Sequence, residues 1–320
     1  MDDKTVVLNA GLVDYDGKVD YAQIASEVVI YDETPENKIL ARVDGFTVVV
    51  TKEMKVSGDI IRAFPESVKM ICEAGTGYNN IDLDAAREKQ IMVCNIPAYS
   101  SERVAHTAIL LMLSLASSLQ KQIRMLAEGN HDNFHKHLMV DHVEVNGKTL
   151  GLIGYGNISR QIIRVAQAMD MNVLVATRTA RPDSGGVHFT TQDEVFKNSD
   201  FISLNCPLTE ATRHLINRQT LAMMKPTAYL INTARGPLVD EQALIEALDD
   251  GVIAGAGLDV QEVEPLDDAS PLYTMDNVII TPHMGWRGLE TRQRLVSMIG
   301  DNIRAFASGH PINRVDEIKG

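Results

Sequence analysis

The sequence is poor in cysteine, in aromatic residues and in positive charge. Its three cysteines, Cys72, Cys94 and Cys206, are too few and too odd in number for a disulfide framework. A reducing cytosol is therefore expected. Lys and Arg number 30 against 43 Asp and Glu, a net charge of −13. That balance argues against a general binder of nucleic acid or anionic membrane, since both need excess positive charge. A small anionic substrate stays open, provided the site supplies its own cation. Long apolar runs are missing too: the most apolar helix-like stretch is Ala108–Ala116, far short of the ~20 residues of a membrane span. The opening Met-Asp-Asp-Lys has no cationic flank and no apolar leader. A cytoplasmic location with no membrane partner is expected.

What the chain does have is 45% hydrophobic residues in short runs. They alternate with helical patterns almost from end to end. One series of strand-like runs covers Thr5–Asn9, Glu27–Tyr31, Thr47–Val50, Val68–Cys72 and Ile91–Cys94. A second covers Thr149–Ile153, Asn172–Ala176, Phe201–Leu204, Ala228–Ile231, Gly255–Leu258 and Val278–Thr281. Strands separated by helices imply parallel sheets, and unalternating apolar runs imply burial on both faces. The spacing predicts an α/β protein with two parallel sheets of five and six strands. A single long helix, Glu102–Ala127 with Ser101 as N-cap, is expected between them, followed by an aperiodic polar stretch, Glu128–Asn146.

The second series opens with a glycine turn. Thr149–Ile153 runs into Gly154-Tyr155-Gly156-Asn157-Ile158, then into a helix with Ile158, Ile162, Val165 and Met169 on one face. Strand, tight turn and helix N-terminus in that order suit the pyrophosphate of a dinucleotide. Ser159 replaces the third glycine and is still small. The plain alternative is a strand–helix turn with no ligand. The next strand ends at Thr177-Arg178-Thr179, where an NAD site expects a carboxylate for the ribose 2′-hydroxyl. An arginine and hydroxyls can instead hold a 2′-phosphate, so NADP(H) is favoured and NAD(H) remains possible. Read as a surface residue, Arg178 would leave the cofactor choice open.

Three later segments carry polar residues just past strand ends: Arg235 in Asn-Thr-Ala-Arg-Gly-Pro, Asp259 and Glu264 in Leu-Asp-Val-Gln-Glu-Val-Glu-Pro, and His283 in Thr-Pro-His-Met-Gly-Trp. Ligands of open α/β sheets bind at those ends. With Gly75-Thr-Gly-Tyr-Asn-Asn-Ile-Asp82, Asn95-Ile-Pro-Ala-Tyr-Ser100 and Cys206-Pro-Leu-Thr209, these segments resemble the D-2-hydroxyacid dehydrogenase family over nearly the full length. The resemblance implies an oxidoreductase with Arg235, Glu264 and His283 as the catalytic set. Arginine can grip a 2-oxo-acid carboxylate, and histidine can hand its proton to the carbonyl while Glu264 favours the charged imidazole. Glu262 is the carboxylate that could be confused with Glu264.

The resemblance further implies two Rossmann-like or flavodoxin-like domains with the active site in the cleft between them. The substrate domain would be 1–100 plus 287–320, and the NAD(P) domain 101–286, with hinges near Tyr99 and Trp286. Backbone groups of Gly75, Thr76 and Gly77 would meet the substrate carboxylate. Gly154, Tyr155, Gly156, Asn157 and Ile158 would face the pyrophosphate. Cys206, Pro207, Thr233 and Asp259 would line the nicotinamide, with Asp259 on its carboxamide. Asn205 stands where many relatives carry histidine. Tyr99 and Trp286 would border the substrate, the latter as an indole cap, or else as packing in a core or an interface. A homodimer is implied, built around the long helix and the 128–146 stretch. The chain is similar to the glycerate dehydrogenase (hydroxypyruvate-glyoxylate reductase) branch at Asp14–Asp20, Val29–Pro35 and Pro311–Val315. With the chain ending at Gly320, no added regulatory domain is expected. Other 2-hydroxy acids such as D-lactate, or a nucleotide-sensing corepressor-like binding protein, are the competing functions. A metal reading of His131, His135, His137 and His142 competes with a solvated loop, which the surrounding Asn and Asp favour; no metal is expected.

Overall fold

The structure, a computed structural model, describes residues 3–317. Residues 1–2, the start of the N-terminal segment, and 318–320 lie outside that range. The chain divides into two compact units, one of residues up to Ser100 together with those from Trp286 on, the other Ser101–Gly285.

The first unit holds a parallel five-stranded sheet. Its strands are β1 Thr5–Val7, β2 Val28–Ile30, β3 Val48–Thr51, β4 Met70–Glu73 and β5 Met92–Cys94, in the order β2-β1-β3-β4-β5. Alternate side chains of one strand enter different cores, as the two-residue strand period requires. Val6, Val49, Ile71 and Val93 face one way, packed with Ile39, Ile61 and Phe64. Val7, Val48, Val50, Met70 and Cys72 face the other, against Ile299, Ile303 and Phe306 of the helix Leu289–Ala307. Both faces are covered, which is why the strands read as unbroken apolar runs.

The second unit holds seven parallel strands, not six. They are β6 Thr149–Ile153, β7 Asn172–Ala176, β8 Val187–Thr190, β9 Phe201–Leu204, β10 Tyr229–Asn232, β11 Gly255–Leu258 and β12 Val278–Ile280, in the order β12-β11-β10-β9-β6-β7-β8. The addition is β8, an edge strand with His188 outward, too polar to show as an apolar run. The inner strands again feed two cores, Ile202, Leu204, Leu230 and Leu258 on one side and Leu150, Leu152, Val173 and Val175 on the other.

The expected long helix is two, Ser101–Ala116 and Leu119–Ala127. Buried Ser118 takes a left-handed backbone (φ 47°), and the Ala116 carbonyl accepts the Val143 N–H at 2.7 Å. The returning chain thus satisfies a terminal carbonyl of the first helix. Ser101 is the first helical residue rather than the cap. The polar stretch contains one short helix, Asp132–His135. No helix among the described residues is long and apolar enough to cross a membrane.

Candidate active site

At the carboxyl end of β6 the glycines do distinct work. Gly154 sits at φ +106°, and a Cβ there would lie 2.6 Å from the Asn205 carbonyl, so only glycine fits. A Cβ on Gly156 would meet open space, and the helix Asn157–Ala168 starts directly after it. An exposed backbone before a helix N-terminus is the cradle a pyrophosphate needs. Ser159, fully buried, donates its hydroxyl to the Gly154 carbonyl at 2.8 Å. The replaced third glycine therefore ties the turn to the helix. The Tyr155 ring meets Phe189 edge-on at 5.0 Å, and the guanidiniums of Arg160 and Arg181 lie 5.1 and 5.4 Å from its centroid. Asn157 is exposed and Ile158 half-buried at the same helix end.

Beyond β7, the Thr177 hydroxyl donates to the Thr179 carbonyl at 2.6 Å and fixes the turn. Arg178 and Thr179 are exposed, and Arg178 forms no ion pair among the described residues. At the ends of β9 and β10, the Asn205 Oδ1 and the Thr233 Oγ1 are buried without a hydrogen-bond partner. Such orphans are rare in proteins, so two at neighbouring strand ends mark a place built for a polar ligand. Cys206 is half-buried, Pro207 exposed, and burial pushes the Cys206 thiol up to about 11. Together with the open Gly156 face, these groups fit a dinucleotide.

Asp259 is 1% exposed and anchors the loop that follows β12. Its carboxylate accepts the Thr281 hydroxyl at 2.6 Å and the N–H groups of Met284 and Gly285 at 2.9 and 2.8 Å. Its carbonyl accepts the His283 N–H at 2.8 Å. His283 is held in the left-handed region, φ 49°, and its Nδ1 lies 2.8 Å from Glu264 Oε2. The other Glu264 oxygen accepts the Gln261 N–H at 3.1 Å. Glu262 is engaged elsewhere: it pairs with His214 at 2.6 Å and accepts the Glu241 N–H. Burial beside Glu262 raises the pKa of Glu241.

Arg235 is half-buried just past β10, and among the described residues its side chain hydrogen-bonds only the Ala234 carbonyl, at 2.7 Å. Asn232 holds the Arg235 carbonyl at 2.8 Å and accepts the Ala234 N–H at 3.0 Å. A Cβ on Gly236 would stand 1.7 Å from the Gln261 carbonyl. That contact presses the arginine loop directly onto the loop carrying Glu264. The result is a guanidinium without a carboxylate partner among the described residues and a carboxylate-oriented imidazole, at neighbouring strand ends.

Residues 109–285, more than half of the chain, match the D-isomer specific 2-hydroxyacid dehydrogenase, NAD binding domain family. The chain belongs to this family. It is 32% identical over 317 residues to a hydroxypyruvate reductase of Blautia hydrogenotrophica, covering 97% of each chain. A hydroxypyruvate reductase of Thermotoga maritima is 41% identical over 276 residues, 85% of this chain and 87% of that one. Among solved structures, the D-lactate dehydrogenase of Aquifex aeolicus, complexed with NAD and lactic acid, superposes with a TM-score of 0.85 at 30% identity. That superposition covers 99% of this chain and 100% of the other. The chain is thus a D-2-hydroxyacid dehydrogenase that uses a nicotinamide cofactor, and its two parallel sheets are the family's fold.

In this dehydrogenase the first unit holds the remaining expected residues. The Gly75-Thr76-Gly77 turn follows β4. The Gly75 N–H donates to the Glu73 carbonyl at 2.8 Å. The Thr76 hydroxyl and carbonyl are fixed by Ile96 and Asn95. Tyr99 is buried, its carbonyl accepts Arg294 at 2.8 Å, and burial raises its pKa. Trp286 belongs to this unit rather than to the cofactor domain. Its ring is 4% exposed and packed in the core, with the Lys52 ammonium 4.0 Å from the ring centroid. Removing so large an apolar ring from water stabilises this core.

The buried polar network around Lys52 and Glu73 was invisible in the sequence, because Asn9, Lys52 and Glu73 lie at the ends of three different strands, β1, β3 and β4. His131, His135, His137 and His142 are all exposed. Among the described residues no group of three His, Cys, Asp or Glu could hold a metal.

Proposed function

We propose that this dehydrogenase reduces hydroxypyruvate and glyoxylate to D-glycerate and glycolate, with NADPH preferred over NADH. The observation that carries the reading is the Glu264–His283 pair at 2.8 Å beside an arginine with no carboxylate of its own. The names of the relatives support the choice of acid. Arg235 holds the carboxylate of the 2-oxo acid through two parallel N–H bonds and draws electron density from the neighbouring carbonyl. In the first unit, the Gly75-Thr76-Gly77 turn has the backbone N–H groups that suit a carboxylate. With Nδ1 turned to Glu264, His283 presents Nε2 and donates its proton to the carbonyl oxygen. Glu264 stabilises the imidazolium before the transfer and keeps the ring in place after it. The bound nicotinamide supplies the hydride that C2 receives. In the oxidative direction the same Nε2 takes the proton back.

The unmatched oxygens of Asn205 and Thr233 are the acceptors for the carboxamide N–H groups. Asp259 acts mainly by holding the His283 loop. Arg178 meets the 2′-phosphate, with Arg181 stacked on Tyr155 nearby in sequence. A homodimer is also proposed, on a separate observation: the helices Ser101–Ala116 and Leu119–Ala127 and the following stretch leave Leu110, Leu113, Ile123, Leu126 and Phe134 exposed. Such a patch needs a cover. Light scattering at micromolar concentration should give twice the chain mass; a monomer rejects it.

The test of the activity is steady-state reduction of hydroxypyruvate, glyoxylate, pyruvate and phosphohydroxypyruvate with each cofactor. Highest kcat/KM for hydroxypyruvate, better with NADPH, is expected. Best turnover of another acid removes the substrate assignment. Cofactor binding without any turnover removes the activity.

A further inference from the structure

Arg235 has no carboxylate to turn to among the described residues, so its backbone sets where the guanidinium stands. That backbone runs into a tight turn, Gly236–Leu238, between β10 and the helix Glu241–Asp249. The turn presses on the segment that follows β11, with no room for a Cβ at Gly236. Yet among the described residues no hydrogen bond joins residues 234–238 directly to 260–264. The bonds that join them run through Glu262.

One carboxylate oxygen of Glu262 lies 2.6 Å from His214 Nε2, and the other accepts the Glu241 N–H at 3.1 Å. Glu241 reciprocates: its carboxylate accepts the Glu262 N–H at 3.2 Å. Each partner is fixed to one side of the arginine loop. The His214 N–H donates to the Pro237 carbonyl at 2.9 Å, and the Ile216 N–H to the Leu238 carbonyl at 2.9 Å. Glu241 stands three residues past Leu238, in the first turn of a helix that Asp240 caps through the Ala243 N–H. The bonds therefore close a circuit around the loop, from Pro237 to His214, from His214 to Glu262, and from Glu262 to Glu241. His214 holds a left-handed backbone, φ 50°, with its carbonyl accepting the Asn217 amide at 2.9 Å. A residue with a Cβ keeps that conformation only where its surroundings hold it.

We propose that Glu262 and His214 are positioning residues that hold Arg235 in register with the Glu264–His283 pair, so that the carboxylate and the neighbouring carbonyl of one 2-oxo acid are engaged together. The short segment after β11 carries both carboxylates, Glu264 to the proton donor and Glu262 to the circuit around the arginine loop. The two groups to be engaged sit on adjacent carbons, so the tolerance is narrow. A misplacement of about 1 Å can cost about a hundredfold in rate. The His214 and Glu262 side chains are 40% and 28% exposed, so their attraction adds little to the stability of the fold. What the pair supplies is placement.

The inference rests on the 2-oxo-acid reading above, and a double-mutant cycle separates the two. Full-length wild type, Glu262→Ala, Arg235→Lys and the double variant are assayed at saturating cofactor with whichever of the four acids the wild type reduces best. Glu262→Ala alone should lower kcat/KM about ten- to a hundredfold, most of it through a raised KM for the acid, with cofactor affinity unchanged. In the Arg235→Lys background the same substitution should cost less than about threefold, because the group it positions is already gone. Glu262→Gln keeps an acceptor for the Glu241 N–H and offers a donor to the neutral His214 ring, and should stay within about threefold of wild type. Equal losses in the two backgrounds would mean a general effect on the fold and overturn the proposal, as would Glu262→Ala kinetics equal to wild type. Should Glu262→Ala fail to fold, His214→Asn enters the same cycle with the same expected outcomes, since asparagine tolerates the left-handed backbone and is too short to reach Glu262. Turnover by the wild type with equal losses in the cycle sinks the positioning role alone. A wild type that reduces no 2-oxo acid sinks both readings.

Discussion

The carboxyl ends of the two sheets carry polar clusters of opposite character. At the second sheet, Arg235, Glu264 and His283 are partly open, and each makes only one or two side-chain bonds. At the first sheet, Asn9, Lys52 and Glu73 are nearly sealed from solvent and bonded several times over. Groups that must exchange a proton need accessible atoms. Groups that hold loops in place can be locked. The same contrast separates two histidine–carboxylate pairs within the second unit. His214–Glu262 and His283–Glu264 are both short, and both histidines have positive φ. Yet Glu262 also clasps the backbone of Glu241 and ties two loops together. A short histidine–carboxylate pair alone therefore does not mark catalysis; the proposal for His283 also draws on Arg235 at the end of a nearby strand.

Five substitutions or treatments sharpen that contrast. The largest effect belongs to His283→Ala, which should lower kcat by about 10²–10⁴ while cofactor still binds by calorimetry. Turnover within threefold of wild type would remove the proton-donor role. Arg235→Lys should cost kcat/KM about a hundredfold, since an ammonium cannot form the planar two-bond grip. Unchanged kinetics would put the carboxylate clamp elsewhere. Next comes Asp259→Ala, which strips the Met284 and Gly285 N–H groups of a buried acceptor. A loss of about 2–4 kcal/mol in denaturant titration is expected; a stability equal to wild type would deny the anchor. Arg178→Ala should weaken NADPH at least tenfold more than NADH, given that a charge-assisted bond contributes about 1.5–3 kcal/mol. Equal losses reject the 2′-phosphate contact. The smallest effect concerns Cys206. With its thiol near 11, the thiolate is scarce at neutral pH and grows as pH rises toward that value. Iodoacetamide at pH 8 should modify it roughly a hundredfold more slowly than a free cysteine. Fast labelling at pH 8 would contradict the burial.

Most of the scaffold was legible in the sequence because the strands are buried on both faces. Thr149–Ile153, Asn172–Ala176, Phe201–Leu204 and Gly255–Leu258 have the bounds their apolar runs suggest. The edge strand β8 was not, since an edge needs apolar residues on fewer sides. The helix break at Ser118 depends on Val143, a residue far along the chain, and no local pattern encodes it. The choice of Glu264 over Glu262 came from the resemblance, and the geometry gives it a physical meaning: one carboxylate faces His283, the other His214. Lys52 and Glu73 stayed hidden for a different reason. Each is an ordinary charged residue at the end of a strand, and only the strand order brings them together.

One measurement addresses the central claim most directly: reduction of hydroxypyruvate with a nicotinamide cofactor deuterated at its transferable C4 position. The account predicts D-glycerate carrying one deuterium at C2. The L-isomer, or D-glycerate without label at C2, would contradict it.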